Sequence, residues 1–344
     1  MIGYRCPACG ARPPLTLARW RCDCGHPLDV DGDTAALRCA GAGNAQRPLV
    51  MDKVSGTRVR WALEYASPTG SYKDRGAAAI VLAAAAVGAR GLVDDSSGNA
   101  GIALAAAGAQ AGLPVRLFVP EDAPENKPRL ARALGADVVL VPGDRERAAA
   151  AAAHDAEAGW FYASHAWSPF FLEGVASLAE ELAERLGGEH LGAIVAPCGN
   201  GGLVLALDRG FRELERSSRL AKRPALVAVQ AEGCAPLARA FSAGSEEPAD
   251  GAWSGTCADG IRVAHPPRGA QTLRAVRESG GRFATVGEDE ICGAWRWLWA
   301  RGLPVEPTSA VVAALLLREA AALEGVHGEI VAVLTGTGLK GVTP

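Results

Sequence analysis

The sequence predicts an α/β fold with parallel sheets. Short apolar runs alternate with helix-length segments along much of the chain, the pattern of βαβ units. Two glycine-bearing loops, Ser96-Ser97-Gly98-Asn99-Ala100-Gly101 and Gly199-Asn200-Gly201-Gly202, each follow a strand-like run and open a helix-like run. A third feature, cysteine pairs near the N-terminus, predicts a small ribbon ahead of the α/β part. With 344 residues and 49% apolar content, the chain can bury the cores of about two domains plus such an appendage.

The first cysteine cluster, Cys6-Pro7-Ala8-Cys9-Gly10, has the spacing of a zinc knuckle. Its glycine permits the positive φ that turns backbone amides toward sulfur. The second, Cys22-Asp23-Cys24-Gly25-His26, has one residue instead of two between its cysteines. Cys6, Cys9, Cys22 and Cys24 would complete a tetrahedral structural zinc site, with His26 or Cys39 as alternative ligands. The competing reading is a ribbon without metal that persists as a small cap.

The next feature is Ser67-Pro68-Thr69-Gly70-Ser71-Tyr72-Lys73-Asp74-Arg75-Gly76, a polar turn running into the alanine-rich stretch Ala77 to Ala86. Pro68 and Gly70 keep the entry irregular, and the alanines favour helix. Lys73 therefore stands near a helix N-terminus, where the helix dipole and Arg75 favour the neutral amine needed to attack a carbonyl. A solvated surface lysine is the alternative.

From Gly91 the alternation becomes regular: a strand at Gly91 to Val93, a helix from Asn99 to Ala111, a strand from Val115 to Val119 and a helix around Asn126 to Leu134. A strand from Asp137 to Val141 and a helix from Ala148 to Ala158 follow, with Pro114, Pro120 and Pro142 at strand edges. The second half repeats the logic with a strand at Ala193 to Ala196, a helix from Leu203 and a strand at Leu226 to Gln230. Helices near Ala270 to Glu278, Glu290 to Ala300 and Ser309 to Leu323 precede a last strand, Ile330 to Leu334. Trp295 and Trp299 lie one turn apart, as in a core or subunit-contact stripe.

A formal charge of −3 gives no broad electrostatic case for nucleic acid or an anionic membrane. The N-terminal residues lack the apolar core of a secretory signal, and the stretch from Gly76 to Ala89 is too short and alanine-rich to span a bilayer. Nine cysteines, an odd number with four scattered after Cys39, are read as reduced thiols of a cytoplasmic protein.

The lysine segment, the Ser-Gly-Asn loop, the Gly-Asn-Gly-Gly loop and Thr335-Gly336-Thr337-Gly338-Leu339-Lys340 resemble, in order, four signatures of the pyridoxal-phosphate enzymes of fold type II. The Lys-Asp-Arg-Gly form of the lysine motif is most similar to that of threonine synthases, which often carry an N-terminal ribbon. The resemblance covers nearly the whole chain from about Leu49. It implies two Rossmann-like three-layer αβα domains with parallel-rich sheets: residues 46–90 and 160–344 as the large cofactor-binding domain and 91–159 as a small inserted one, after a ribbon at 1–45. It also implies a homodimer acting on a small amino-acid substrate.

By the same resemblance Lys73 would take the cofactor aldehyde and later shuttle the α-proton. Gly199, Asn200, Gly201 and Gly202 would cradle the phosphate on amides at a helix N-terminus. Asn99 would bond the ring oxygen, and Ser71, Ser97, Gly98, Asn99 and Ala100 would hold the substrate. Thr335 would face the pyridine nitrogen, with Thr337 as competitor. A hydroxyl partner there suits elimination and replacement better than transamination or decarboxylation.

The implied reaction is conversion of O-phosphohomoserine and water to threonine and phosphate, with Arg75, Lys127 and Arg262 as candidates for a second anion site. Ser67, Tyr72 and Ala100 depart from the usual Asn, Phe and Thr of threonine synthases, and Ala258-Asp259-Gly260-Ile261 resembles serine/threonine dehydratases equally. A dehydratase or a β/γ-replacement enzyme is therefore the alternative reaction, and a zinc-ribbon binding module with an inert globular part the non-enzymatic one.

Overall fold

A computed structural model describes residues 2–16, 19–43, 46–187, 191–320, 328–341 and 344. In chain order the first elements are β1 (Gly3–Arg5), β2 (Asp29–Asp31), α1 (Ala35–Ala42), β3 (Leu49–Val54), β4 (Thr57–Ala62), α2 (Lys73–Ala86), β5 (Leu92–Asp94), α3 (Asn99–Ala111), β6 (Val115–Pro120), α4 (Asn126–Ala133), β7 (Asp137–Val141), α5 (Arg145–Glu157) and β8 (Phe161–Tyr162). They continue with α6 (Pro169–Leu186), β9 (Leu191–Pro197), α7 (Gly202–Arg216), β10 (Ala225–Ala231), α8 (Pro236–Ser242), α9 (Gly269–Glu278), β11 (Arg282–Val286), α10 (Glu288–Trp299), α11 (Pro307–Glu319) and β12 (Glu329–Val333). The chain divides into two compact units, residues 1–44 with 73–177 and residues 45–72 with 178–344.

The first unit is built on a four-stranded sheet in the order β7-β6-β5-β8, every pair parallel. α3 spans the residues that the alternation predicts: Gly98 enters extended, and Gly112 stops the helix in the left-handed region at φ 68°. β1 and β2 pair antiparallel as the ribbon. Its aromatic residues belong to the same body, since Tyr4 meets Phe170 at 5.7 Å and Trp20 meets Trp167 edge-on at 4.8 Å.

These unit boundaries differ from the expected inserted domain at 91–159, because the first unit also takes in residues 73–90, 160–177 and the ribbon. The reason is packing. α2 lies against α1 and α3, and α6 crosses α2 where glycines remove the side chains: a Cβ on Gly174 would lie 2.2 Å from Arg75 O, and one on Gly76 would lie 2.0 Å from Phe171 Cδ2.

The second unit holds a six-stranded sheet, β11-β10-β9-β12-β4-β3, parallel except for the β3–β4 hairpin. That hairpin, turned by Ser55 and Gly56 at φ 51° and 89°, has no counterpart in the predicted elements. β9 is buried along its whole length, as a central strand covered on both faces must be. α11 is buried from Pro307 to Leu316 and packs with Val195, Val229 and Ala332 in the main core. Residues 321–323, the end of the helix predicted from Ser309, lie outside the described residues. Trp295 and Trp299 form a core stripe, with both indole N–H groups donating to Val305 O at 2.6 and 2.8 Å. Among the described residues no helix is long and apolar enough to cross a membrane.

Candidate active site

In the second unit β9 delivers the chain to Gly199 and α7 starts at Gly202. Gly201 caps α7 in the left-handed region at φ 79°, and a Cβ there would lie 2.1 Å from Thr272 Oγ1. At Gly199 a Cβ would lie 2.8 Å from Ile261 Cα. Positions 199 and 201 therefore require glycine, and the first-turn amides of α7 have no acceptor within the helix, as at helix N-termini that receive anions. The buried Gln230 side chain braces the approach, donating from Nε2 to Cys198 O at 3.1 Å and accepting from the amides of Leu237 and Ala238. Burial pushes the Cys198 thiol up to about 12, so it stays neutral beneath the loop.

The segment after β12 pairs with the loop ahead of α2. Ser71 bridges Gly336, Tyr72 N donates to Thr335 O at 3.0 Å, and Thr337 N donates to Gly70 O at 2.9 Å. Thr335 is buried, and its Oγ1 lies 2.9 Å from Ser309 Oγ, which in turn accepts from Gly336 N at 2.8 Å. Thr337 is occupied locally, with its hydroxyl donating to Pro304 O and accepting from Leu339 N, both at 3.2 Å. Ser71 Oγ is buried without a hydrogen-bond partner. An orphaned hydroxyl there fits a site that a bound polar molecule completes.

In the first unit Lys73 is the first residue of α2, and its Nζ lies 5.2 Å from the centre of the Phe171 ring. Asn99 opens α3, with Ser97 and Gly98 before it and the buried Ala100 after it, so this loop too ends on helix amides. Beneath the loop, burial and then the charge of Asp95 push the Asp94 carboxyl well above its ordinary range, and Tyr162 Oη donates to Asp95 at 3.1 Å. Arg75 is fully buried and donates to Ser177 Oγ at 3.1 Å. Through that bond it braces this unit. Ser67, where the usual motif has Asn, is buried and accepts from Arg47 Nε at 3.2 Å.

The ribbon brings Cys6, Cys9, Cys22 and Cys24 together, with all four Sγ atoms within 4.8 Å of one another. The two knuckles close over different lengths, four residues in the first and three in the second. Gly10 N donates to Cys6 O at 3.0 Å and Gly25 N to Cys22 O at 2.9 Å, both glycines at positive φ. Burial alone would raise the Cys6 thiol. The amides of Cys9 and Ala8, then the Cys9 and Cys24 thiols, overcome it and draw Cys6 down to about 6. His26 Nδ1 approaches Cys24 Sγ at 3.5 Å, while Cys39 is exposed.

Sequence reasoning placed the lysine, the two glycine loops and the threonine segment on helix starts and strand ends. It missed Ser309, the partner of Thr335, because that serine belongs to no motif.

The family described as pyridoxal-phosphate dependent enzyme matches residues 46–336. The threonine synthase of Methanosarcina acetivorans is 34% identical over 318 residues, covering 91% of this chain and 78% of that protein. That of Halalkalibacterium halodurans is 32% identical over 321 residues, covering 91% and 87%. Among solved structures, a threonine deaminase from T.th. superposes with a TM-score of 0.74 at 27% identity, covering 88% of this chain and 96% of that one.

Proposed function

The chain belongs to the family of pyridoxal-phosphate dependent enzymes, and on that premise we propose that it converts O-phosphohomoserine and water to threonine and phosphate. The observation that carries the reading is the pairing of Gly70–Tyr72, the loop that runs directly into Lys73, with Thr335–Thr337. It brings the orphaned Ser71 hydroxyl and the Ser309–Thr335 hydroxyl pair to the chain segment that presents the lysine.

The residues fit the cofactor. Amides of Gly199 to Gly202 would hold its phosphate, since positions 199 and 201 admit no Cβ and the turn leads into the positive end of α7. Thr335, backed by Ser309, would be the partner of the pyridine nitrogen, since the Thr337 hydroxyl is engaged with Pro304 O. Asn99 bonds the ring oxygen, and Ser97, Gly98, Ala100 and Ser71 hold the substrate carboxylate. Once bound, the cofactor supplies the electron sink for charge developing at the substrate α-carbon. Lys73 would hold the cofactor through its aldehyde and, once the substrate amine has displaced it, its free Nζ would remove and return the α-proton. The solved threonine deaminase keeps dehydration of threonine or serine to a 2-oxo acid as the second reading.

We further propose a structural zinc held by the four ribbon cysteines. Tetrahedral bonds of about 2.3 Å put sulfurs about 3.8 Å apart, and the Cys6–Cys24 and Cys9–Cys22 pairs stand at 3.5 and 3.6 Å. A cytoplasmic homodimer with nine reduced thiols completes the proposal.

The purified protein incubated with pyridoxal phosphate should gain a visible absorption band that borohydride abolishes, and Lys73→Ala should remove it. The wild-type protein should release phosphate and threonine from O-phosphohomoserine. Oxo-acid from threonine with no phosphate release would select the dehydratase reading, and a protein colourless after incubation would sink both.

A further inference from the structure

Outside the ribbon, two cysteines far apart in the chain meet in the second unit. Cys257 is exposed in the loop between α8 and α9, and Cys292 is half-buried on α10; both are free thiols. Glu288, the first residue of α10, draws them together, because its Oε2 accepts from Cys257 N at 2.9 Å. Cys292 stands four residues further along, one turn away on the same face of the helix. The Cys257 thiol interacts with both the Glu288 carboxylate and the Cys292 thiol.

The loop that carries Cys257 also walls the glycine turn ahead of α7. A Cβ on Gly199 would lie 2.8 Å from Ile261 Cα and 3.2 Å from Gly260 O, and Gly260 N donates to Thr308 Oγ1 at 3.0 Å. Ala258, next to Cys257, is wholly buried. The inner side of the loop is thus fixed in the core while its outer end offers a thiol to solvent. Burial, then the Glu288 carboxylate, then Cys292, push that thiol up to about 12, so at neutral pH it is protonated and slow to react. Burial alone would raise the Glu288 carboxyl. The Cys257 amide, the Thr256 hydroxyl and the Cys257 thiol overcome it and hold Glu288 below its usual range, which keeps it ionised.

We propose that Cys257 and Cys292 are a site of reversible oxidation, which closes to a disulfide when the protein meets a low-molecular-weight disulfide and which Glu288 otherwise keeps reduced. Cys257 loses its proton and attacks one sulfur of the small disulfide, whose other half leaves as a thiolate and takes up a proton. Cys292 loses its proton in turn and attacks the Cys257 sulfur, releasing the second small thiol. Two protein thiols are oxidised to one disulfide, and one small disulfide is reduced to two thiols. The new bond ties the wall of the Gly199 turn to α10. It requires neither the cofactor nor the proposed reaction.

The test incubates the full chain with oxidised glutathione, digests it with trypsin and maps the disulfides by mass spectrometry. Trypsin releases Cys257 in the peptide 240–262 and Cys292 in the peptide 283–296, so the disulfide appears as one linked species that dithiothreitol separates. That species should accumulate in the native protein, and the urea midpoint should rise with it and return on reduction. Cys292→Ser should stop at a mixed disulfide between Cys257 and glutathione. Glu288→Gln keeps an oxygen for Cys257 N and removes the charge, so it should close faster. Each gain of about tenfold in thiolate is offset by a loss of about threefold in its nucleophilicity, which leaves closure faster by about threefold or more. A native protein that yields only mixed disulfides, that links Cys257 to other cysteines as readily as to Cys292, or that forms the link no faster than it does in urea overturns the proposal. Closure no faster in Glu288→Gln overturns the role given to Glu288.

Discussion

Replacing Gly201 by alanine tests whether the turn ahead of α7 is shaped for an anion or merely tolerates one. Two costs follow from the structure. The residue sits at φ 79°, where an added Cβ costs about 1–2 kcal/mol. That Cβ would also lie 2.1 Å from Thr272 Oγ1 and 2.9 Å from Thr272 Cγ2, an overpacking of about 1–3 kcal/mol. Thr272 cannot swing away freely, because it is fully buried and its hydroxyl donates to Arg268 O at 2.9 Å. The sum, about 2–5 kcal/mol, should appear in urea denaturation as a lower midpoint. Cofactor affinity should fall by tenfold or more, since about 1.4 kcal/mol suffices for that. Adding Thr272→Ala removes Oγ1 and Cγ2 but keeps Cβ at 2.9 Å, and should recover much of the steric part while leaving the backbone part. The two substitutions should therefore be less than additive. A Gly201→Ala protein with wild-type midpoint and cofactor affinity, or strict additivity in the double variant, would refute the reasoning.

Two further outcomes are expected. Metal analysis should find about one zinc per chain for a single four-cysteine site, and Cys22→Ser with Cys24→Ser should abolish it. Zinc that survives the double substitution would point to other ligands. Hydrogen bonds from Arg60, then its charge and that of Arg58, hold the Glu329 carboxyl below its usual range, with contacts of 3.0 to 3.2 Å. A depressed carboxylate contributes stability that is present above its unfolded value, about 4.3, and is lost as pH falls through the folded one. Glu329→Gln should thus be less stable than wild type near neutral pH, and the gap should close on acidification from about pH 6 to about pH 3. A gap that stays constant with pH would contradict the assignment.

Much of this architecture was legible in the residues alone, wherever it depends on neighbours along the chain. The limits of α3 follow from Gly98, Asn99 and Gly112, and the knuckle turns follow from Gly10 and Gly25, because helix starts, stops and positive-φ turns are set by local sterics and propensity. The order of the lysine, asparagine, glycine and threonine segments carries the family by itself. What the sequence leaves open depends on which distant segments pack together. The β3–β4 hairpin, the assignment of α2 to the first unit, the burial of Arg75 and the Ser309 partner of Thr335 arise from contacts between segments far apart in the chain. His165 is the plainest case. In the sequence it is a lone histidine four residues ahead of Pro169, and only the close approach of α6 to α2 at Gly76 and Gly174 sets Phe171 near both it and Lys73. Periodicity reports which face of an element is buried. It carries no record of what that face meets, because the meeting is decided by close packing of whole elements.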